Sequence, residues 1–175
     1  MRHTAFAPAK VNLFLHVGRP DDEGYHPISS LMVFADVGDQ VSIQASDAPG
    51  FETTGLFGAD IPAGDDNLVM RAARAFHTAT LGPVPPFRLL LDKRLPIAAG
   101  LGGGSSDAGA ALRLLRDTLA PELADTLLEA LASGLGADGA ACLWGRAVMA
   151  EGRGERLSPP PALPTLHAVL VNPRV

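Results

Sequence analysis

Four glycines and two serines fall within Pro96-Ile97-Ala98-Ala99-Gly100-Leu101-Gly102-Gly103-Gly104-Ser105-Ser106-Asp107, between a strand-like apolar run and a strongly amphipathic stretch. The chemistry open to such a segment is anion binding. Glycines let the backbone approach a phosphate closely and turn through positive φ, and the free N–H groups of the helix that follows aim partial positive charge at the same point. Two familiar phosphate loops are excluded by spelling. No lysine follows the glycines as a P-loop requires, and Ser105 stands where the dinucleotide fingerprint needs its third glycine. A ligand-free flexible turn is the plain alternative, but helix-capping serines and an acidic Asp107 in the first turn make a structured strand-loop-helix unit the better expectation.

Other residues have chemical potential that spacing alone does not establish. Lys10 precedes an apolar strand and, taken singly, reads as a solvated end group. Asp138, in Gly136-Ala137-Asp138-Gly139-Ala140, reads first as a helix N-cap. Tyr25, the only tyrosine in the chain, sits beside His26 after a tight turn; surface packing is the default, and stacking on a base is the functional alternative. The histidines His3, His16, His26, His77 and His167 lack close metal-ligand spacing, so no metal site is expected.

The elements that must position these groups follow from periodicity. Asn12 to Val17 alternates as a strand, and Asp21-Asp22-Glu23-Gly24 supplies a solvated turn. A second strand is expected from Ile28 to Ala35. Gly38-Asp39 is read as a turn before a third over Gln40 to Ala45, which makes the first third a β meander. Residues 46–64 read as loop with one short strand. Asp65 or Asp66 is expected to cap a helix carrying Leu68, Ala72, Ala75, Phe76 and Ala79, with Gly82-Pro83 as its stop. Phe87 to Asp92 reads as a buried strand. The glycine loop leads into a helix with Ala108, Ala111, Leu112, Leu115 and Leu119 on one face. Pro121 opens a further helix with the stripe Leu123, Leu127, Ala130 and Leu131, closed by Gly134 and Gly136. Short strands are expected over 147–151 and 167–171, on either side of Pro159-Pro160-Pro161. Phe76, Leu115 and Trp144 are core candidates.

A chain of 175 residues with 14 basic and 19 acidic side chains has no basic block for a nucleic-acid backbone, so an anionic ligand must be held locally. Cys142 stands alone, which excludes an internal disulfide and suits a cytoplasmic location. No run of about 18 uncharged apolar residues suggests a membrane span, and no export signal is read. Nothing in the sequence sets the oligomeric state. The chain ends at Val175 just after the last strand-like run with no closing helix, and reads as cut.

Taken together and in order, several segments resemble a known family: Ala7-Pro8-Ala9-Lys10-Val11-Asn12-Leu13-Phe14-Leu15, Asp22-Glu23-Gly24-Tyr25-His26, Asp66-Asn67-Leu68, Lys93-Arg94-Leu95-Pro96, Gly100 to Ala108, and Gly136-Ala137-Asp138. They are similar to the GHMP kinase superfamily, and within it to the kinases of cytidine-diphosphate-linked methylerythritol. The resemblance implies an α+β fold, with an N-terminal domain like the second domain of ribosomal protein S5 over residues 1–160. Residues 161–175 would then be a linker and the first strand of an incomplete C-terminal domain.

By the same resemblance, ATP with Mg2+ is the phosphoryl donor, and the acceptor is the 2-hydroxyl of the cytidine-linked methylerythritol in the non-mevalonate isoprenoid pathway. Lys10 and Asp138 match the catalytic pair. Pro96, Ala99, Gly100, Leu101, Gly102, Gly103, Gly104, Ser105 and Ser106, with Asn67 and Leu68, match the nucleotide site. Asn12, Tyr25 and His26 match the substrate cleft. One departure is local: Gly139-Ala140 follow Asp138, where the family commonly has a bulky aliphatic residue and proline. The family also continues into a second domain. A nucleotide-binding remnant without turnover, and a GHMP kinase for another alcohol, are the competing expectations.

Overall fold

The computed structural model describes residues 2–62, 64, 66–80 and 85–173. Its frame is a long antiparallel hairpin of β1 (Arg2–Val17) and β2 (Ile28–Ala45). β2 is long enough to serve two partners on its other edge. Its C-terminal half pairs with β4 (Phe87–Asp92) and its N-terminal half with β5 (Val148–Gly152), both antiparallel. β3 (Gly50–Thr54) lies parallel to β4, and β6 (Arg156–Ser158) pairs with β5. Among the described residues, four α-helices and a short 3-10 turn at Gly58–Asp60 complete this α+β fold: α1 (Leu68–Ala79), α2 (Gly103–Leu119), α3 (Asp125–Ser133) and α4 (Gly139–Trp144). α2 packs against β1, β2, α1, α3 and α4, and is therefore the hub of the core.

The expected apolar face of α2 is real: Ala108, Ala111, Leu112 and Leu115 are buried, and Leu119 packs at its end. Val41, Ile43, Leu89 and Leu91 supply the sheet side of the same core, and Val69, Ala72 and Phe76 supply α1. Burial of such side chains at roughly 1.5 to 3 kcal/mol each is what fixes α2, and with it the loop at its N-terminus.

Several expectations are corrected. Gly38-Asp39 is no turn, since β2 runs unbroken through it. Gly38 is there for close approach: a Cβ would sit 2.3 Å from the Ala7 carbonyl oxygen and 2.8 Å from Pro8 Cα. β1 begins at Arg2 rather than Asn12. Irregularities at Pro8/Lys10 and Asn12/Phe14 break its two-residue period, and Ala7, Pro8, Ala9 and Lys10 are buried in succession, so alternation could not reveal it.

α1 is capped by Asn67, not Asp66: its Oδ1 accepts from the N–H groups of Val69 (2.9 Å) and Met70 (3.3 Å). The alternative cap Asp65 and the stop Gly82-Pro83 lie outside the described residues, and Thr80 closes the helix at Ala79. α3 starts at Asp125, four residues after Pro121, and buries Leu128 and Ala132; Leu127 of the expected stripe is exposed. Residues 167–171 form no strand, because no neighbouring strand offers a ladder to them among the described residues. Trp144 is only partly buried, its indole N–H donating to Glu129 at 2.9 Å.

Candidate active site

The β4–α2 loop turns by left-handed backbone at alternate residues: Ala98 (φ 54°), Gly100 (φ 73°) and Gly102 (φ 62°). Gly102 is the N-cap of α2 and makes no side-chain cap, so Ser105 and Ser106 lie inside the helix rather than before it, and Asp107 falls past the first turn. The capping role expected of the serines is therefore filled by a glycine. The first N–H groups of any helix lack internal partners, and here they face a cleft of about 300 Å³. The cleft is lined by Pro96 to Ser105 together with Asn67, Leu68, Lys93 and Asp107. A larger concavity of about 730 Å³ between α3, α4 and the β5–β6 hairpin touches none of these groups.

Lys10 meets this loop directly. Its backbone N–H donates to the Leu101 carbonyl at 2.7 Å, and its side chain runs so close to Gly102 that a Cβ there would lie 2.9 Å from Lys10 Cβ. At the far end, Nζ lies 3.3 Å from Asp138 Oδ2 and donates to Asn12 Oδ1 at 2.7 Å. The relay continues: Asn12 Nδ2 donates to Ser30 Oγ, which donates to the Phe14 carbonyl, each at 2.7 Å. Lys10 is only 5% exposed, so the solvated-end reading fails, and its ammonium is aimed rather than free.

Asp138 is the N-cap of α4 by position, yet its carboxylate makes no capping hydrogen bond. That leaves it free for Lys10. The backbone beneath it is fixed by Gly139, where a Cβ would sit 1.9 Å from the Ala132 carbonyl oxygen. The small residue after the aspartate thus lets α4 press on the end of α3.

A second charged cluster supports the cradle from below. Lys93 Nζ donates to Asp39 Oδ2 at 2.6 Å and to Asp107 Oδ2 at 2.7 Å, all three side chains being nearly fully buried. Asp39 Oδ1 accepts from the N–H groups of Arg94 (2.5 Å) and Leu95 (2.8 Å), fastening the entry to the loop. Gly103 leaves room for the ammonium, which a Cβ would approach to 2.9 Å. Burial pushes the Asp107 carboxyl up to about 7, with the Asp39 charge adding and Lys93 opposing. Asp107 Oδ1 is buried without a hydrogen-bond partner, and Ser106 Oγ lies beside the Cys142 thiol. Sequence reasoning missed Asp39, although it lies in phase with the inward-facing Val41 and Ile43 of β2, where a carboxylate demands a partner.

Tyr25 and His26 stand at the end of the β1–β2 turn, both exposed. His26 Nδ1 lies 2.9 Å from the Gly18 carbonyl; a carbonyl only accepts, so a neutral ring bonded there keeps its proton on Nδ1 and presents Nε2 as an acceptor. Asn67 is 4% exposed, with its oxygen committed to capping α1 and its nitrogen donating to the Pro62 carbonyl at 3.3 Å. Its wall of the cleft is therefore structural, and Leu68 supplies the apolar surface next to it.

The model of the GHMP kinases N terminal domain matches residues 67–146. A crystal structure of 4-(cytidine 5'-diphospho)-2C-methyl-D-erythritol kinase superposes with a TM-score of 0.76 at 40% identity, covering 93% of this chain and 56% of that one. The fold of this chain is that of a GHMP kinase N-terminal domain. A relative from Caulobacter sp. (strain K31), named 4-diphosphocytidyl-2-C-methyl-D-erythritol kinase, is 75% identical over all 175 residues, which make up 60% of its length. One of the same name from Hyphomonas neptunium is 47% identical over 174 residues, with 57% of its length covered. The chain thus spans about three fifths of the length of these relatives. The Methanococcus jannaschii mevalonate kinase shares the fold alone, at a TM-score of 0.67 and 14% identity.

Proposed function

We propose that this chain belongs to an ATP-dependent kinase that phosphorylates the 2-hydroxyl of 4-diphosphocytidyl-2-C-methyl-D-erythritol. The observation that carries the reading is the Lys10–Asp138 pair, 3.3 Å apart, beside a glycine loop whose helix N-terminus opens on a cleft. Phosphoryl transfer asks little covalent chemistry of a protein; alignment and charge neutralisation supply most of the acceleration. Backbone N–H groups of Gly103, Gly104 and Ser105 would bind the triphosphate, for which the space above Gly104 is suited: a Cβ there would meet only Leu68 Cδ1, at 3.3 Å.

Asp138 faces the acceptor hydroxyl and takes its proton as the oxygen bonds to the γ-phosphorus and ADP departs. Lys10 holds that carboxylate in place and, with Asn12 on its other side, stabilises charge on the transferring group. Tyr25 stacks on the cytosine and His26 hydrogen-bonds to it. Among the described residues no cluster of three acidic, histidine or cysteine side chains could hold a metal by itself. Mg2+ would enter with the nucleotide and, when bound, would neutralise charge on its phosphates. No helix among the described residues is long and apolar enough to cross a membrane, and the reading places the enzyme in the cytoplasm.

The test is ADP release by the purified protein with and without the cytidine-linked substrate. Turnover only in its presence, lost in Asp138→Asn while ATP still binds, is the expected result. Nucleotide binding with no turnover in the native protein would instead mark a nucleotide-binding remnant. Turnover with another alcohol and none with this one would reassign the acceptor.

A further inference from the structure

The turn between β5 and β6 holds a residue that the mechanism above does not use. Arg153 reaches from that turn to the one between β1 and β2, where its guanidinium carbon lies 3.8 Å from the centroid of the Tyr25 ring. Nη2 of the same group donates to Asp21 Oδ2 at 2.8 Å and to Glu23 Oε2 at 2.6 Å. Asp21 also builds the turn that carries Tyr25, its Oδ1 accepting from the N–H groups of Glu23 (3.0 Å) and Tyr25 (2.9 Å). One carboxylate therefore ties the backbone of Tyr25 to the cation that covers its ring.

The arginine is itself held. Its backbone N–H donates to Glu155 Oε2 at 2.6 Å. Gly154, at φ 103°, sits so near the Ala137 carbonyl oxygen that a Cβ would lie 2.7 Å from it. Ala137 precedes Asp138. The β5–β6 turn thus links the ring at one end of the site to the segment bearing the carboxylate at the other, around a cavity of about 390 Å³ that Tyr25, Arg153 and residues 133–137 line.

We propose that Arg153 is a positioning residue of the pyrimidine subsite: anchored by Asp21 and Glu23, it backs one face of the Tyr25 ring and presents the other to the incoming base. The inference rests on the reading of Tyr25 as the base-stacking residue. Tyr25 remains 55% exposed with the arginine in place, so a ring face stays open. An isolated surface ion pair contributes little. A planar guanidinium stacked on a ring and fixed by two carboxylates instead sets orientation, which an unheld exposed ring would have to lose entropy to adopt on binding.

Because the chain has a single tyrosine, the Tyr25 ring resonances can be followed by selective labelling, with cytidine 5'-diphosphate as the probe. In the native protein the nucleotide should shift those resonances. Arg153→Ala should move the free-state ring signals towards those of an unrestrained tyrosine and weaken the nucleotide by roughly three- to fivefold. Arg153→Lys, which keeps charge but loses the plane, should resemble the alanine variant in the ring signals. Glu23→Gln, a milder change that releases one anchor, should fall between, with the amide spectrum reporting an intact fold. Unchanged ring signals and affinity in Arg153→Ala, with the native Tyr25 still responding to nucleotide, would overturn the positioning role and leave the base-stacking reading standing. A native Tyr25 indifferent to the nucleotide would overturn both.

Discussion

Asp107 offers the sharpest quantitative test of how the cradle is supported. Its carboxyl is held at about 7 in the fold against an ordinary 3.8, a rise of about three units, each corresponding to about 1.4 kcal/mol. Below pH 4 the group is protonated in both folded and unfolded chains and carries no penalty. Between pH 4 and 7 the unfolded chain ionises while the folded one resists, so native stability falls with rising pH, by up to about 4 kcal/mol, and levels off above pH 7. Asp107→Asn keeps an oxygen for Lys93 and removes the titration. Urea unfolding of both proteins from pH 4.5 to 8.5 provides the measurement. Other titrating groups occur in both proteins, so their contributions largely cancel in the difference, and pH-independent changes in the hydrogen bonding of the amide do not affect its slope. The variant should gain on the native protein by several kcal/mol as pH rises, most of it below pH 7. A difference flat within about 0.5 kcal/mol across that range would show that Lys93 compensates both carboxylates, and the account of the Asp39–Lys93–Asp107 cluster given above would be wrong.

Three substitutions and one reagent probe the rest of the site. Gly102→Ala forces a Cβ to 2.9 Å from Lys10 Cβ at φ 62°; it should cost about 1 to 3 kcal/mol in denaturant melts and lower turnover by displacing the Lys10 side chain. Gly139→Ala drives a Cβ into the Ala132 carbonyl, and should destabilise by a similar ~1 to 3 kcal/mol while separating Asp138 from Lys10, read as a fall in kcat with nucleotide affinity retained. Lys93→Met leaves the Asp39 and Asp107 carboxylates buried without their shared cation, a loss of about 3 to 5 kcal/mol in thermal or urea unfolding at neutral pH, smaller in acid. The Cys142 thiol, buried and pushed up to about 11 by that burial, should resist a thiol-specific disulfide reagent at pH 8 in the folded protein and react on unfolding.

The sequence by itself determined the local units. The 3.6-residue periods of α1 and α2, the apolar run of β4 and the glycines before α2 are short-range patterns, and each element formed where its pattern predicted. The order of the motifs also carried the resemblance to GHMP kinases, whose N-terminal domain model matches residues 67–146. Tertiary structure alone decided which isolated residues meet. Lys10 and Asp138 are 128 positions apart, and no local signal separates a capping aspartate from one whose carboxylate turns to a distant lysine; burial of Lys10 against the Gly102 turn makes that choice. Asp39, read in the sequence as part of a turn, proves to lie inside β2 in phase with Val41 and Ile43, and only the fold brings it to Lys93. No local signal marks Arg153, whose contacts arise only when two turns fold side by side around Tyr25. Periodicity encodes which face of an element loses water, whereas the pairing of charges depends on which faces the packed core then brings together.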